Sequence, residues 1–129
     1  MKKMDRKIKG YKSHIKGLYF EDKVLNYFER KGWRVSKRRK DIIPPREIDV
    51  FGVIDLPPPK KYLLVECKDK EIVTANDVIK FINKVDDFKM KYGYSHTFHN
   101  VFAVMAYTNK VDREAKKVAQ RHGIRFLKF

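Results

Sequence analysis

Two apolar, β-branched segments joined by a short proline turn constrain this chain more than any other feature. Glu47–Ile54 (EIDVFGVI) and Tyr62–Lys68 (YLLVECK) flank Asp55–Lys61 (DLPPPKK). Val, Ile, Tyr and Phe suit the pleated surface of a strand. The link is so short that the two strands are expected to pair as an antiparallel hairpin. The second segment is apolar on both of its faces until Glu66, the pattern of a strand covered on each side. Something must cover both faces.

Helical periodicity supplies the cover. From about residue 13 to residue 31, Leu18, Leu25 and Phe28 recur at helical spacing with Val24 beside them, and Gly32 stands where a C′ glycine ends a helix. Trp33 and Val35 alternate with Arg34 and Ser36, a short strand entering a basic loop at Lys37–Lys40, and Pro44-Pro45 break the chain before the hairpin. Thr74 with Asp77 resembles a capping box for a second helix, whose buried stripe is Val78, Ile82, Val85 and Phe88 and whose stop is Gly93. Val101–Tyr107 reads as a buried strand. Asp112 caps a third helix that turns Ala115, Val118 and Ala119 inward and stops at Gly123, and Ile124–Phe129 closes as a strand. The expected class is α/β, a mixed β-sheet flanked by helices in the order α-β-β-β-α-β-α-β. The 129 residues suit a single domain, with residues 1–12 a flexible basic arm.

The charge balance narrows the partner. Lys and Arg number 31 against 16 Asp and Glu, a formal net charge of +15. Such a surplus points to a polyanion, and nucleic acid is the commonest, because each neutralised phosphate releases counterions. The N-terminus lacks the apolar stretch of a signal peptide, and the longest apolar run is far short of a membrane span. The expected compartment is the cytoplasm, with no membrane. One cysteine, Cys67, excludes an internal disulfide and a Cys-rich zinc module.

With acids scarce, their placement is informative. The two-residue period of the second hairpin strand puts Tyr62, Leu64, Glu66 and Lys68 on one face. A turn centred near residue 58 brings Asp49 opposite a position within about one residue of Glu66. Directly opposed residues lie about 5 Å apart at Cβ. Two carboxylates so close repel unless a cation sits between them, and all-oxygen ligation suits Mg²⁺ or Mn²⁺. Lys68 alongside completes a set for phosphodiester hydrolysis, orienting the attacking water or stabilising developing charge. The same residue types could also form a plain cross-strand ion pair, and Glu21-Asp22-Lys23 repeats the E-x-K spacing on a helix, where it carries no meaning. On the helical wheel, however, Glu21 falls inside the apolar sector between Leu25 and Phe28. A carboxylate there is costly unless paired. Either a basic residue of the sheet satisfies it, or it reaches the same ion directly or through water.

Lys16-Gly17 followed by Glu21, then Ile48-Asp49, then Glu66-Cys67-Lys68, resembles the PD-(D/E)XK nuclease superfamily. The resemblance runs from Gly17 to the final strand, including the element order and the ending from Ala115 to Gly123-Ile124. Within the superfamily the chain is most similar to small archaeal Holliday junction resolvases and to the nuclease domains of Mrr-type restriction enzymes. It implies a restriction-endonuclease-like fold. It also implies that Asp49 and Glu66 bind the catalytic ion with help from the Cys67 carbonyl, that Glu21 is a further acidic ligand, and that Lys68 serves the attacking water. The product would carry a 5′-phosphate. Ile48 stands where the superfamily name has proline, and Glu47, on the same strand face as Asp49, competes with Glu21 as the additional ligand.

The basic residues supply candidate phosphate contacts: Lys16, Arg34, Lys37, Arg38, Arg39, Lys40 and Arg46, positioning DNA without reading bases. His96-x-x-His99 reads as a surface loop rather than half a zinc site. Cys67 reads as a small core residue, and Tyr92 and Tyr94 as packing near a helix end. The sequence thus reads as a Mg²⁺- or Mn²⁺-dependent endonuclease of duplex or branched DNA. Cutting both strands symmetrically requires two sites, hence a C₂ homodimer. A Holliday junction resolvase proper and a non-catalytic DNA-binding module are the rival readings.

Overall fold

The computed structural model of the chain describes residues 18–92 and 100–129. The basic arm, Lys16, Gly17, Gly93, Tyr94, His96 and His99 lie outside the described residues. Helix α1 occupies residues 18–30 and ends where expected: Gly32 takes φ +98°, a left-handed conformation that glycine adopts without strain. Strands β1 (Arg34–Ile43), β2 (Arg46–Ile54) and β3 (Lys61–Lys68) follow, then β4 (Ile72–Val73), α2 (Ala75–Lys91), β5 (Val101–Tyr107), β6 (Lys110–Val111), α3 (Arg113–Arg121) and β7 (Ile124–Lys128).

The main sheet runs β1-β2-β3-β5-β7. The first three strands are antiparallel, while β5 lies parallel to β3 and β7 parallel to β5. Helices cover both faces, so the order α-β-β-β-α-β-α-β holds, with the two-residue strands β4 and β6 forming an added parallel pair. On one face Phe20, Val24 and Phe28 of α1 pack on Val50, Leu63, Val65, Val104 and Ala106. On the other, Val78, Phe81, Ile82, Val85 and Phe88 of α2 and Ala115 and Ala119 of α3 cover Phe51, Leu64, Ala103, Met105 and Ile124. The alternation along β3 explains the division: Leu63 and Val65 face α1, Leu64 and Glu66 face α2.

The α2 N-terminus is built as expected. The Thr74 N–H donates to Asp77 at 2.9 Å, and the Asp77 N–H donates to the Thr74 hydroxyl at 3.3 Å, closing a capping box. Tyr92 packs against Phe88 with ring centroids 4.7 Å apart, and its hydroxyl donates to the Ile42 carbonyl at 3.0 Å.

Three expectations need correcting. Residues Lys37–Lys40 are no loop; they belong to edge strand β1, paired Lys37 to Val50 and Arg39 to Ile48. Charge along an edge strand discourages pairing with other chains, which hides the apolar alternation from the sequence. The buried line of α1 is Phe20-Val24-Phe28, not one starting at Leu18, so Glu21 flanks it. The Asp112 side chain makes no capping hydrogen bond on α3.

Candidate active site

The site begins where β2 and β3 part. Their register runs Ile54 to Lys61 through Val50 to Val65. Asp49 and Glu66 are the next residues along, as the hairpin arithmetic requires. Ile48 packs on the α2 side together with Phe51, whereas Val50 packs on the α1 side. The two-residue alternation is therefore interrupted at Asp49, where the paired register of β2 and β3 ends. Beyond the ladder the Cys67 N–H donates to the Asp49 carboxylate at 2.8 Å.

Three carboxylates meet in this opening. Oxygens of Glu21 from α1 and of Glu47 and Asp49 from β2 lie within 4.8 Å of one another. The all-oxygen donor set fits a hard divalent ion such as Mg²⁺ or Mn²⁺. Arg38 closes the cluster from β1. It sits between the Lys37–Val50 and Arg39–Ile48 pairs, across from Asp49, with φ +55°, a left-handed conformation uncommon for any residue but glycine. Its Nε donates to Glu21 Oε2 at 2.8 Å. The basic residue from the sheet and the shared acid site are thus both present around Glu21.

Glu66 is the buried polar residue of the described core, at 8% exposure. The Asp49 carboxyl lies close enough to interact with it electrostatically, and its Oε2 accepts from Lys84 Nζ at 2.9 Å. That lysine, on α2, also donates to the Glu47 carbonyl at 2.8 Å. Sequence reasoning missed Lys84. Position 84 lies one residue from Val85 and two from Ile82, beside the buried stripe, a spacing that does not show which way its amine reaches. Lys68 is partly exposed, with Nζ 4.0 Å from Asp77 Oδ1, so the structure directs it toward the α2 N-terminus.

Electrostatics follow the packing. Burial, and then the adjacent Glu66 carboxylate, push Asp49 up to about 7, against the opposing pull of the Cys67 N–H and Lys84. Burial also raises Glu21, opposed by the Arg38 hydrogen bond and reinforced by Asp49. Burial and the surrounding acids raise the Cys67 thiol, which stays protonated and is no nucleophile. Cys67 packs beside the α1-facing cluster, as expected of a small core residue.

Most of the candidate phosphate contacts already hold carboxylates. Arg34 pairs with Asp55 at 3.0 Å, Lys37 with Asp22, Arg39 with Asp41 and Arg46 with Asp87. Lys40 is exposed. These surface pairs are individually weak and exchange readily. No helix among the described residues is long and apolar enough to cross a membrane.

No protein-family model matches the chain, and no curated protein does. Solved structures do match. A protein of unknown function, AF1548, shares 21% identity over 86% of this chain and 58% of its own, with a TM-score of 0.68. A repair endonuclease from Pyrococcus abyssi shares 22% over 92% of this chain and 46% of its own, at 0.63. EndoMS in its apo form shares 18% over 91% and 45%, at 0.56. The chain spans about half the length of these proteins. Likeness at identities this low shows a common fold alone: a mixed sheet flanked by helices.

Proposed function

We propose that this chain, sharing its fold with repair endonucleases, is itself a divalent-metal-dependent DNA endonuclease of the PD-(D/E)XK type. The observation that carries the reading is the meeting of Glu21, Glu47 and Asp49 within 4.8 Å, with the Glu66 carboxyl beside Asp49. Like-charged carboxyls gathered in a partly buried opening raise one another's proton affinity. A fold keeps so costly an arrangement where a cation will occupy it. The neighbours include EndoMS in complex with double-stranded DNA, which agrees with the +15 charge of this chain.

A bound Mg²⁺ or Mn²⁺ would supply an activated water and neutralise charge on the phosphoryl group. Glu21, Glu47, Asp49 and Glu66, with the Cys67 carbonyl, would hold it. The Cys67 N–H fixes the Asp49 carboxylate. Arg38 neutralises Glu21 and stands at the edge of the opening, where a phosphate can take its free donors. Lys68, one step beyond Glu66, would orient the attacking water. Arg34, Lys37, Arg39, Lys40 and Arg46, together with Lys16, would contact the DNA backbone. A pair of such sites in a C₂ homodimer would cut both strands.

The test is cleavage of labelled four-way junction and linear duplex with Mg²⁺, Mn²⁺ or chelator, using wild type and Asp49→Ala. The reading expects ion-dependent cutting that the variant loses while still binding DNA. Preference for the junction would make the protein a resolvase. Binding without cutting under every ion would leave a DNA-binding module and refute the enzyme.

A further inference from the structure

We infer that Lys84 is a positioning residue of this site, holding the Glu66 carboxylate and the start of β2 at a fixed separation across the opening that would receive the ion. The inference rests on the endonuclease reading.

The ladder between β2 and β3 stops at Val50 and Val65. Past that point no further residue pair is in register between the two strands, where Glu47 and Asp49 stand near Glu66 and Cys67. Two side chains link the strands there. Asp49 reaches the Cys67 N–H at 2.8 Å, and Lys84 reaches both Glu66 Oε2 at 2.9 Å and the Glu47 carbonyl at 2.8 Å. Lys84 thus touches both β2 and β3 from a third element.

That element is well anchored. Helix α2 is fixed in rotation by buried Phe81, Val85 and Phe88, which bracket Lys84, and in register by the Thr74–Asp77 capping box. The Lys84 and Glu66 side chains are only 18% and 10% exposed, so water competes poorly for either partner and the pair is unlike the loose pairs of the surface. With Oε2 taken by the ammonium, Glu66 keeps its other oxygen for Asp49 or for an ion. Carboxylates that ligate metals are commonly held in this way by a second hydrogen bond, and removing such a partner weakens metal affinity roughly 10–100-fold.

Two roles for Lys84 predict opposite signs. A bystander ammonium would only repel an incoming cation, and its removal would tighten binding. A brace would loosen binding when removed. Mn²⁺ titration by calorimetry without DNA, on wild type, Lys84→Met and Lys84→Arg, separates them. The expected result is affinity weaker by about tenfold or more in Lys84→Met, with Lys84→Arg within about threefold of wild type. Amide exchange in chelator is expected to quicken over residues 46–49 in Lys84→Met and not in Lys84→Arg. Should the unpaired Glu66 unfold Lys84→Met, Glu66→Gln compared with Glu66→Gln/Lys84→Met serves instead. The added substitution is expected to cost little further affinity, since Lys84 acts through Glu66. Unchanged or tighter Mn²⁺ binding in Lys84→Met, or unchanged exchange over 46–49, would overturn the inference. Wild type that takes up no Mn²⁺ would instead refute the endonuclease reading, and the exchange comparison would still decide whether Lys84 braces the strands.

Discussion

The Cys67 N–H donates to the Asp49 carboxylate across 2.8 Å, joining β3 to β2 just past the end of their ladder. A side chain here does what a backbone carbonyl does elsewhere in the sheet. Acids from α1, β2 and β3 gather beside this link.

Asp49 ties this geometry to stability. Its folded value, about 7, lies above the ordinary 3.8, so between those values the folded protein holds a proton that the unfolded chain releases. Stability from this group is full below the lower value and is lost as pH rises through the upper one. In chelator, Asp49→Asn is expected to raise unfolding stability at about pH 8 by up to about 4 kcal/mol, a gain that disappears at acid pH. Urea titrations of both proteins across this range check it. A variant less stable than wild type at alkaline pH would contradict it.

Ion affinity should depend on both glutamates of the cluster. Glu21→Gln and Glu47→Gln are each expected to weaken Mn²⁺ binding about tenfold, or ~1.4 kcal/mol, by calorimetry. Weakening in only one variant would identify the single additional ligand that the sequence leaves open.

The basic edge strand makes a salt-dependent prediction. Changing Lys37, Arg39 and Lys40 to Ala should weaken binding to any DNA sequence. It should also flatten the dependence of log affinity on log salt by about 0.9 for each phosphate that the variant no longer neutralises. An unchanged slope would mark this strand as solvated surface.

At the α2 N-terminus the sign is reversed. Burial alone would raise Asp77, but the Lys70 hydrogen bond and the Thr74 N–H outweigh it, and the group is lowered. Its contribution is present above the ordinary carboxylate value and disappears as pH falls through the lowered one. Thr74→Ala, which breaks the capping box, should cost ~1 kcal/mol in thermal or urea unfolding.

What could be read from the sequence divides along physical lines. The opposition of Asp49 and Glu66 was legible because a short turn fixes hairpin register. Helix α2 announced itself through its Thr74–Asp77 capping box, and α1 and α3 through the glycines that follow them, Gly32 and Gly123. The strand over Lys37–Lys40 did not, because an edge strand carrying charge shows no apolar period. Strands β4 and β6 have two residues each, too few to carry a pattern. Lys84 was hidden for a different reason. Its hydrogen bond to Glu66 depends on how α2 is rotated and set over the sheet, which packing decides and local spacing does not. Lys68 shows the converse limit: strand alternation gave its face, but not its lean toward Asp77.

A cradle formed by Glu21, Glu47 and Asp49, with Glu66 beside it, is proposed to take a divalent ion. Anomalous diffraction from a crystal soaked in Mn²⁺ would locate that ion. A peak is expected within roughly 2–2.3 Å of carboxylate oxygens of Asp49 and at least one of the three glutamates, absent from an Asp49→Ala crystal. A peak elsewhere, or none at this site under saturating Mn²⁺, would contradict it.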